Sequence, residues 1–145
     1  MIKIITVGKI KENYLKEAIN DYQKRINKYH KLEIIEIEDD NIINEKDRIL
    51  KHINKKDYLI ALDIQGIELT SIELSKKIDN IFINNSNITF IIGGSNGIHD
   101  SIKNIVNYKL SFSKMTFPHQ LFRLILLEQI YRSFKILGKW ICRCS

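Results

Sequence analysis

Residues Ile88 to Phe134 read ITFIIGGSNGIHDSIKNIVNYKLSFSKMTFPHQLFRLILLEQIYRSF. A run of buried-strand type, Ile88 to Ile92, leads into Gly93-Gly94-Ser95-Asn96-Gly97. A second short strand, Tyr108 to Phe112, leads into Ser113-Lys114-Met115-Thr116-Phe117-Pro118-His119 and then into a long amphipathic helix. Two strand ends, each followed by small, polar or Gly residues, form the kind of crevice in which α/β sheets bind nucleotide-like ligands. The segment therefore points to a ligand-binding enzyme core.

The remainder of the chain repeats the same alternation. Ile2 to Val7 is a short β-branched run ending at Gly8 and predicts a buried strand. Tyr14 to Asn27 sets Tyr14, Leu15, Ala18, Ile19, Tyr22 and Ile26 on one helical stripe. Leu32 to Ile37 predicts a second strand, stopped by Glu38-Asp39-Asp40. Asn44 to Asn54 predicts a helix with Ile49, Leu50 and Ile53 inward, and Asp57 to Ile64 a third strand ended by Gly66. Ser71 is placed to cap the next helix, whose inward residues are Leu74, Ile78, Ile81 and Phe82. A short helix over Asp100 to Val106 follows the Gly-rich loop, and Pro118 suits the first turn of the last helix. Regular β-α alternation predicts an α/β fold with a mostly parallel sheet and flanking helices. No repeat or linker divides the chain, so residues 1–145 read as one domain.

Composition narrows the class. The 145 residues suffice for one full core. Hydrophobic residues at 44% and charged residues at 28% are ordinary for a globular protein. The net charge of +6 suits an anionic partner such as RNA, though many basic domains bind none. Cys142 and Cys144 are too few and too closely placed for a disulfide framework or a zinc site, so no metal is expected. The apolar start MIKIITVGKI is interrupted by polar residues within ten positions. It reads as a strand, neither signal peptide nor membrane span, and a cytoplasmic location is expected.

Several residues are candidates for chemistry. GGSNG matches neither GxGxxG nor a P-loop, so Gly93, Gly94 and Gly97 either admit a ligand against the backbone or make a tight turn. In Ser113 to Pro118, backbone groups could read a base edge while Met115 and Phe117 pack on its face, or those two could anchor the last helix. His119 and Arg123, four apart, share a helical face near the helix start. Arg132 lies four after Glu128, consistent with a surface pair. Arg132, Lys135 and Lys139 could equally form a phosphate contact face. The last helix is apolar over more than one stripe, and in so short a chain its second partner is expected to be another subunit.

These residues resemble a known family. The opening strand ending VGK, LDIQG at Leu62 to Gly66, FIIGGSNG at Phe90 to Gly97, LSFSKMTFPHQLFR at Leu110 to Arg123 and QIYRSFKI at Gln129 to Ile136 are similar, in order and spacing, to the RlmH family of SPOUT-class methyltransferases. The resemblance spans nearly the whole chain. It implies a C-terminal trefoil knot, a homodimer and S-adenosylmethionine as methyl donor. It also implies methylation of N3 of a pseudouridine in 23S rRNA within the assembled 70S ribosome. Carried over by motif, Leu62, Gly93 and the run Phe112, Ser113, Lys114, Met115, Thr116 and Phe117 are expected to line the donor pocket. His119, Arg123 and Arg132 are the candidates for proton handling, charge stabilisation or phosphate contact.

Two positions depart from the pattern. Ile67 stands where Lys commonly follows the glycine. The family's polar tail with a Tyr-His pair is replaced by Leu137-Gly138-Lys139-Trp140-Ile141-Cys142-Arg143-Cys144-Ser145. That ending predicts retained donor binding with impaired catalysis. The alternative reading is thus a ribosome-associated protein that holds S-adenosylmethionine with little turnover. A small α/β nucleotide-binding regulatory module is a third reading, against which the LSFSKMTFPHQ block argues.

Overall fold

The computed structural model describes residues 1–144, and the side chains of residues 1–138. The elements in chain order are β1 (Ile2–Val7), α1 (Asn13–Asn27), β2 (Leu32–Ile37), α2 (Ile42–Leu50) and β3 (Tyr58–Glu68). They continue as α3 (Ser71–Asn84), β4 (Ile88–Ile92), α4 (Asp100–Lys103), β5 (Tyr108–Ser111) and α5 (His119–Cys144). The five strands form one sheet in the order β2-β1-β4-β3-β5, and every pairing is parallel.

Strand alternation divides the core into two layers, because successive side chains leave opposite faces. Ile2, Ile4, Ile60, Phe90 and Ile92 pack on one face against α1, α3 and α5, through Ile19, Ile78, Leu127 and Ile130. Ile5, Val7, Ala61 and Ile91 pack on the other face against α2 and α4, through Ile49 and Ile102. β1 and β4 are buried on both faces, which explains their continuous Ile-rich runs. Among the described residues no helix is long and apolar enough to cross a membrane.

Several boundaries differ from the sequence reading. β3 does not stop at Gly66 but continues to Glu68, with a register shift against β5 between Leu62 and Ile67. A Cβ on Gly66 would lie 2.6 Å from the Lys109 carbonyl oxygen, so this glycine lets two backbones meet and does not terminate the strand. Thr70, not Ser71, caps α3: its hydroxyl accepts from the Glu73 amide, and Glu73 reaches back to the Thr70 amide. α2 begins earlier than expected because Asn41 accepts from the Asn44 amide, and it ends at Leu50. Tyr14 and Leu50, expected inward, are exposed. Pro118 precedes α5, where its carbonyl accepts the amides of Leu121 and Phe122. Of the tail Leu137 to Ser145, on which the impaired-catalysis reading depends, residues 139–145 lie outside those whose side chains are described.

Candidate active site

A cavity of about 400 Å³ opens at the C-terminal ends of β4 and β5 and beside the middle of β3, where its register with β5 shifts. Each strand contributes one wall. Leu62, Asp63 and Ile64 come from β3, Ile92 and the Gly93–Ile98 turn from β4, and Leu110 to Ser113 from β5. Thr116, Phe117, Pro118, His119 and Phe122 close the fourth side.

The glycine turn has a local cause. The Gly97 amide donates to the Gly94 carbonyl at 3.0 Å, and Gly97 has φ +74°. Gly93 is required by space: a Cβ there would lie 2.7 Å from the Gly97 carbonyl group. The turn is thus closed on itself. Asn96 ties it to the segment after β2 by donating to the Asp40 carbonyl at 3.2 Å.

The loop after β5 is held by short polar contacts. The Ser111 hydroxyl lies 3.2 Å from the Ile64 carbonyl and 3.0 Å from the Ser113 carbonyl, joining β3 to the loop. The Ser113 hydroxyl accepts from the Met115 amide. Phe122 stacks near Phe112 at 6.4 Å and meets Phe117 edge-on at 5.5 Å. The loop residues Lys114 to Pro118 are otherwise exposed, Met115 by 72%.

Among the lining residues Asp63 is the one carboxylate, and Lys103 and His119 are the basic groups. Asp63 Oδ1 accepts from the Gln65 amide, and Oδ2 lies 3.6 Å from Lys103 Nζ. The remaining surface is backbone, hydroxyl and aromatic. That lining suits a flat heterocycle joined to a charged, hydroxylated chain.

The expected site residues divide into two groups. Leu62, Gly93, Phe112, Ser113, Thr116, Phe117 and His119 line one cavity. Lys114 and Met115 sit in the same loop but not in its lining. Arg123 is turned into the protein and is 2% exposed. Its guanidinium donates to Glu36 Oε2 at 2.7 Å, the Thr6 hydroxyl at 3.1 Å and the Gly8 carbonyl at 2.9 Å. It fastens the first turns of α5 to the ends of β1 and β2. Arg132 is exposed and pairs with Glu128 one turn earlier. Burial pushes the Glu128 carboxyl up, but hydrogen bonds from Tyr22 and Arg132 outweigh it and hold it below the usual range. Asp63, Lys103, Ser111 and Phe122 were missed. Asp63 and Ser111 stood inside the quoted motifs, whereas Lys103 had no sequence signal.

Residues 1–140 match the family model described as Predicted SPOUT methyltransferase. The ribosomal RNA large subunit methyltransferase H of Clostridium botulinum (strain Kyoto / Type A2) is 53% identical, over 94% of each chain. That of Acetivibrio thermocellus is 50% identical, over 94% of this chain and 95% of its own. Among solved structures, the tRNA (m1G37) methyltransferase from Aquifex aeolicus superposes with a TM-score of 0.54 at 14% identity, over 90% of this chain and 69% of that one. The SpoU methyltransferase AviRb from Streptomyces viridochromogenes gives 0.51 at 10% identity, over 94% and 60%. Both structures are alike in fold.

Proposed function

Because the chain belongs to the SPOUT methyltransferases, and within them to the ribosomal RNA large subunit methyltransferase H family, we propose that it methylates N3 of a pseudouridine in 23S rRNA, using S-adenosylmethionine, on assembled 70S ribosomes in the cytoplasm. The observation that carries this reading is the single cavity into which LDIQ, GGSNG and the SFSKMTFPH loop converge. Its lining fits the donor: aromatic and aliphatic walls for adenine, and the Asp63 carboxylate and Lys103 ammonium for the polar remainder.

When bound, S-adenosylmethionine supplies an electrophilic methyl carbon. The chain's own residues position, exclude water and move a proton. Leu62, Gly93 and the backbone from Phe112 to Phe117, with Lys114 and Met115 at its outer turn, form the donor cradle. Phe117 and Phe122 shield it from solvent, which strengthens polar contacts within. N3 must lose its proton as the new bond forms. His119 at the start of α5 is the imidazole of the lining, and this reading assigns it that proton. Arg123 acts as a positioning residue, since its terminal nitrogens are held by Glu36, Thr6 and Gly8, while its buried Nε has no partner. Arg132, exposed although paired with Glu128, is assigned phosphate contact together with the exposed Lys135.

A C2 homodimer belongs to the same reading. Leu121, Leu124 and Ile125 of α5 are only half-buried, and Ile64, in the cavity lining, is exposed, as are Ile67 and Met115. One subunit leaves these apolar side chains uncovered. A C-terminal trefoil knot is part of the same proposal; β5 lies at the sheet edge, and Arg123 of α5 bonds the Gly8 carbonyl after β1. The test is His119→Gln. Single-turnover methyl transfer to ribosomes lacking the modification should fall about 10²–10⁴-fold with donor affinity retained. A rate within threefold of the parent would remove His119 from proton handling.

A further inference from the structure

We infer that the opposite end of the sheet, where the strands begin, is a second RNA-backbone contact surface that grips a segment other than the one delivered to the cavity. This inference rests on the rRNA reading and extends it.

All five strands are parallel, so their entry points lie along one edge. That edge is closely stitched. The Met1 amino group donates to the Ser86 carbonyl, the Ile2 amide to Lys31, and the Tyr58 amide to Asn87. Lys3 Nζ holds the turn before β3 by donating to the His52 carbonyl at 3.1 Å. The edge therefore brings together the Met1 ammonium, Lys28, Lys31, Lys51, Lys55 and Lys56, which are distant in sequence. The five lysines are exposed.

The five lysines take part in no salt bridge among the described residues, where the salt bridges engage Arg25, Lys46, Arg48, Lys103, Arg123 and Arg132. Two carboxylates lie at this end. Asp57 is buried and accepts from Thr89 and Asn87, and Glu33 sits opposite Lys3 in the β1–β2 register. Acidic residues gather instead at the exit of β2, as Glu36, Glu38, Asp39 and Asp40.

Complementing helix dipoles explains part of this placement. Lys28 and Lys51 follow the C-termini of α1 and α2, where a cation stabilises by about 0.3–1 kcal/mol. Lys31, Lys55 and Lys56 follow no helix end and need another reason. A row of flexible, unpaired ammonium groups without a pocket matches a phosphodiester backbone, which rewards charge without demanding base readout. β1 spans about 20 Å, so this edge and the cavity mouth face different RNA segments. Engaging both requires folded RNA of ribosomal size.

The experiment compares the full chain with Lys51→Gln/Lys55→Gln/Lys56→Gln and, separately, Lys28→Gln/Lys31→Gln, on ribosomes lacking the modification. Binding is measured across a salt series, and donor affinity on the same preparations by calorimetry. The triple variant should reduce the slope of log K against log salt by about 2–3, and the double variant by about 1–2, with donor affinity unchanged. Unchanged slopes in both variants, with the parent still methylating, would overturn this inference alone. A parent chain that neither binds nor methylates ribosomes would overturn the rRNA reading together with it.

Discussion

Replacing Arg123 with Met should cost about 3 kcal/mol of stability, and most of that cost should not come from the lost ion pair. Glu36 is 40% exposed at its side chain, so water can solvate it once the guanidinium is gone. The Gly8 carbonyl and Thr6 hydroxyl are different. Both residues are buried, and each loses its bond from Arg123. A buried polar group stranded in this way costs about 1–3 kcal/mol. For a chain of 145 residues the unfolding entropy near Tm is about 0.3 kcal/mol per degree, so Tm should drop by about 10 °C. Glu36→Gln keeps an acceptor but removes the counter-charge of the buried guanidinium, so it should cost something, though less than Arg123→Met. Arg123→Lys should fall between, since one ammonium cannot span the three acceptors of a planar fork. Urea unfolding of the three variants measures the differences. A loss below about 1 kcal/mol for Arg123→Met, or an equal loss for Glu36→Gln, would refute the positioning role. Arg123 would then return to the candidates for direct chemistry.

Gly97→Ala meets open space and suffers only from φ +74°, so it should lose about 1 kcal/mol of stability and keep donor affinity. Gly93→Ala sets a Cβ against the Gly97 carbonyl and should lose both stability and donor binding, read by melting and calorimetry. Burial between Phe82 and Phe134 holds the His30 imidazole below its ordinary pKa. As pH falls below about 6.5 the unfolded chain gains a proton that the folded chain resists, so stability is present above that pH and declines from there toward the folded value. His30→Phe should remove this slope in denaturation curves between pH 7 and 5, and an unchanged slope would assign the effect elsewhere.

How much of this was legible follows from which interactions are local. β1, β2 and β4 were bounded correctly from sequence because each is a compact Ile-rich run that stops at glycine or a charged cluster. The end of β3 was misread because the role of Gly66 depends on the β5 backbone, more than forty residues later. The cap of α3 moved by one residue, since Thr70 and Ser71 offer the same chemistry and only the reach of Glu73 decides. Within the site, Gly93 and the loop from Phe112 were visible as strand ends, and their convergence follows from the parallel sheet. Lys103 was not visible, because the crossover from β4 to β5 brings it to Asp63. The four-residue spacing put Arg123 on the face of His119, but a guanidinium turns toward its best acceptors, and Glu36 is 87 residues away.

The central claim is methyl transfer to N3 of a pseudouridine at the cavity between β3 and the ends of β4 and β5. The most direct measurement incubates the full chain and S-adenosylmethionine with 70S ribosomes lacking the modification, then analyses the 23S rRNA nucleosides by mass spectrometry. The account predicts one added methyl group on a pseudouridine at N3, dependent on the donor and abolished in Gly93→Ala. Methylation at another atom or base, or undiminished transfer by Gly93→Ala, would contradict it.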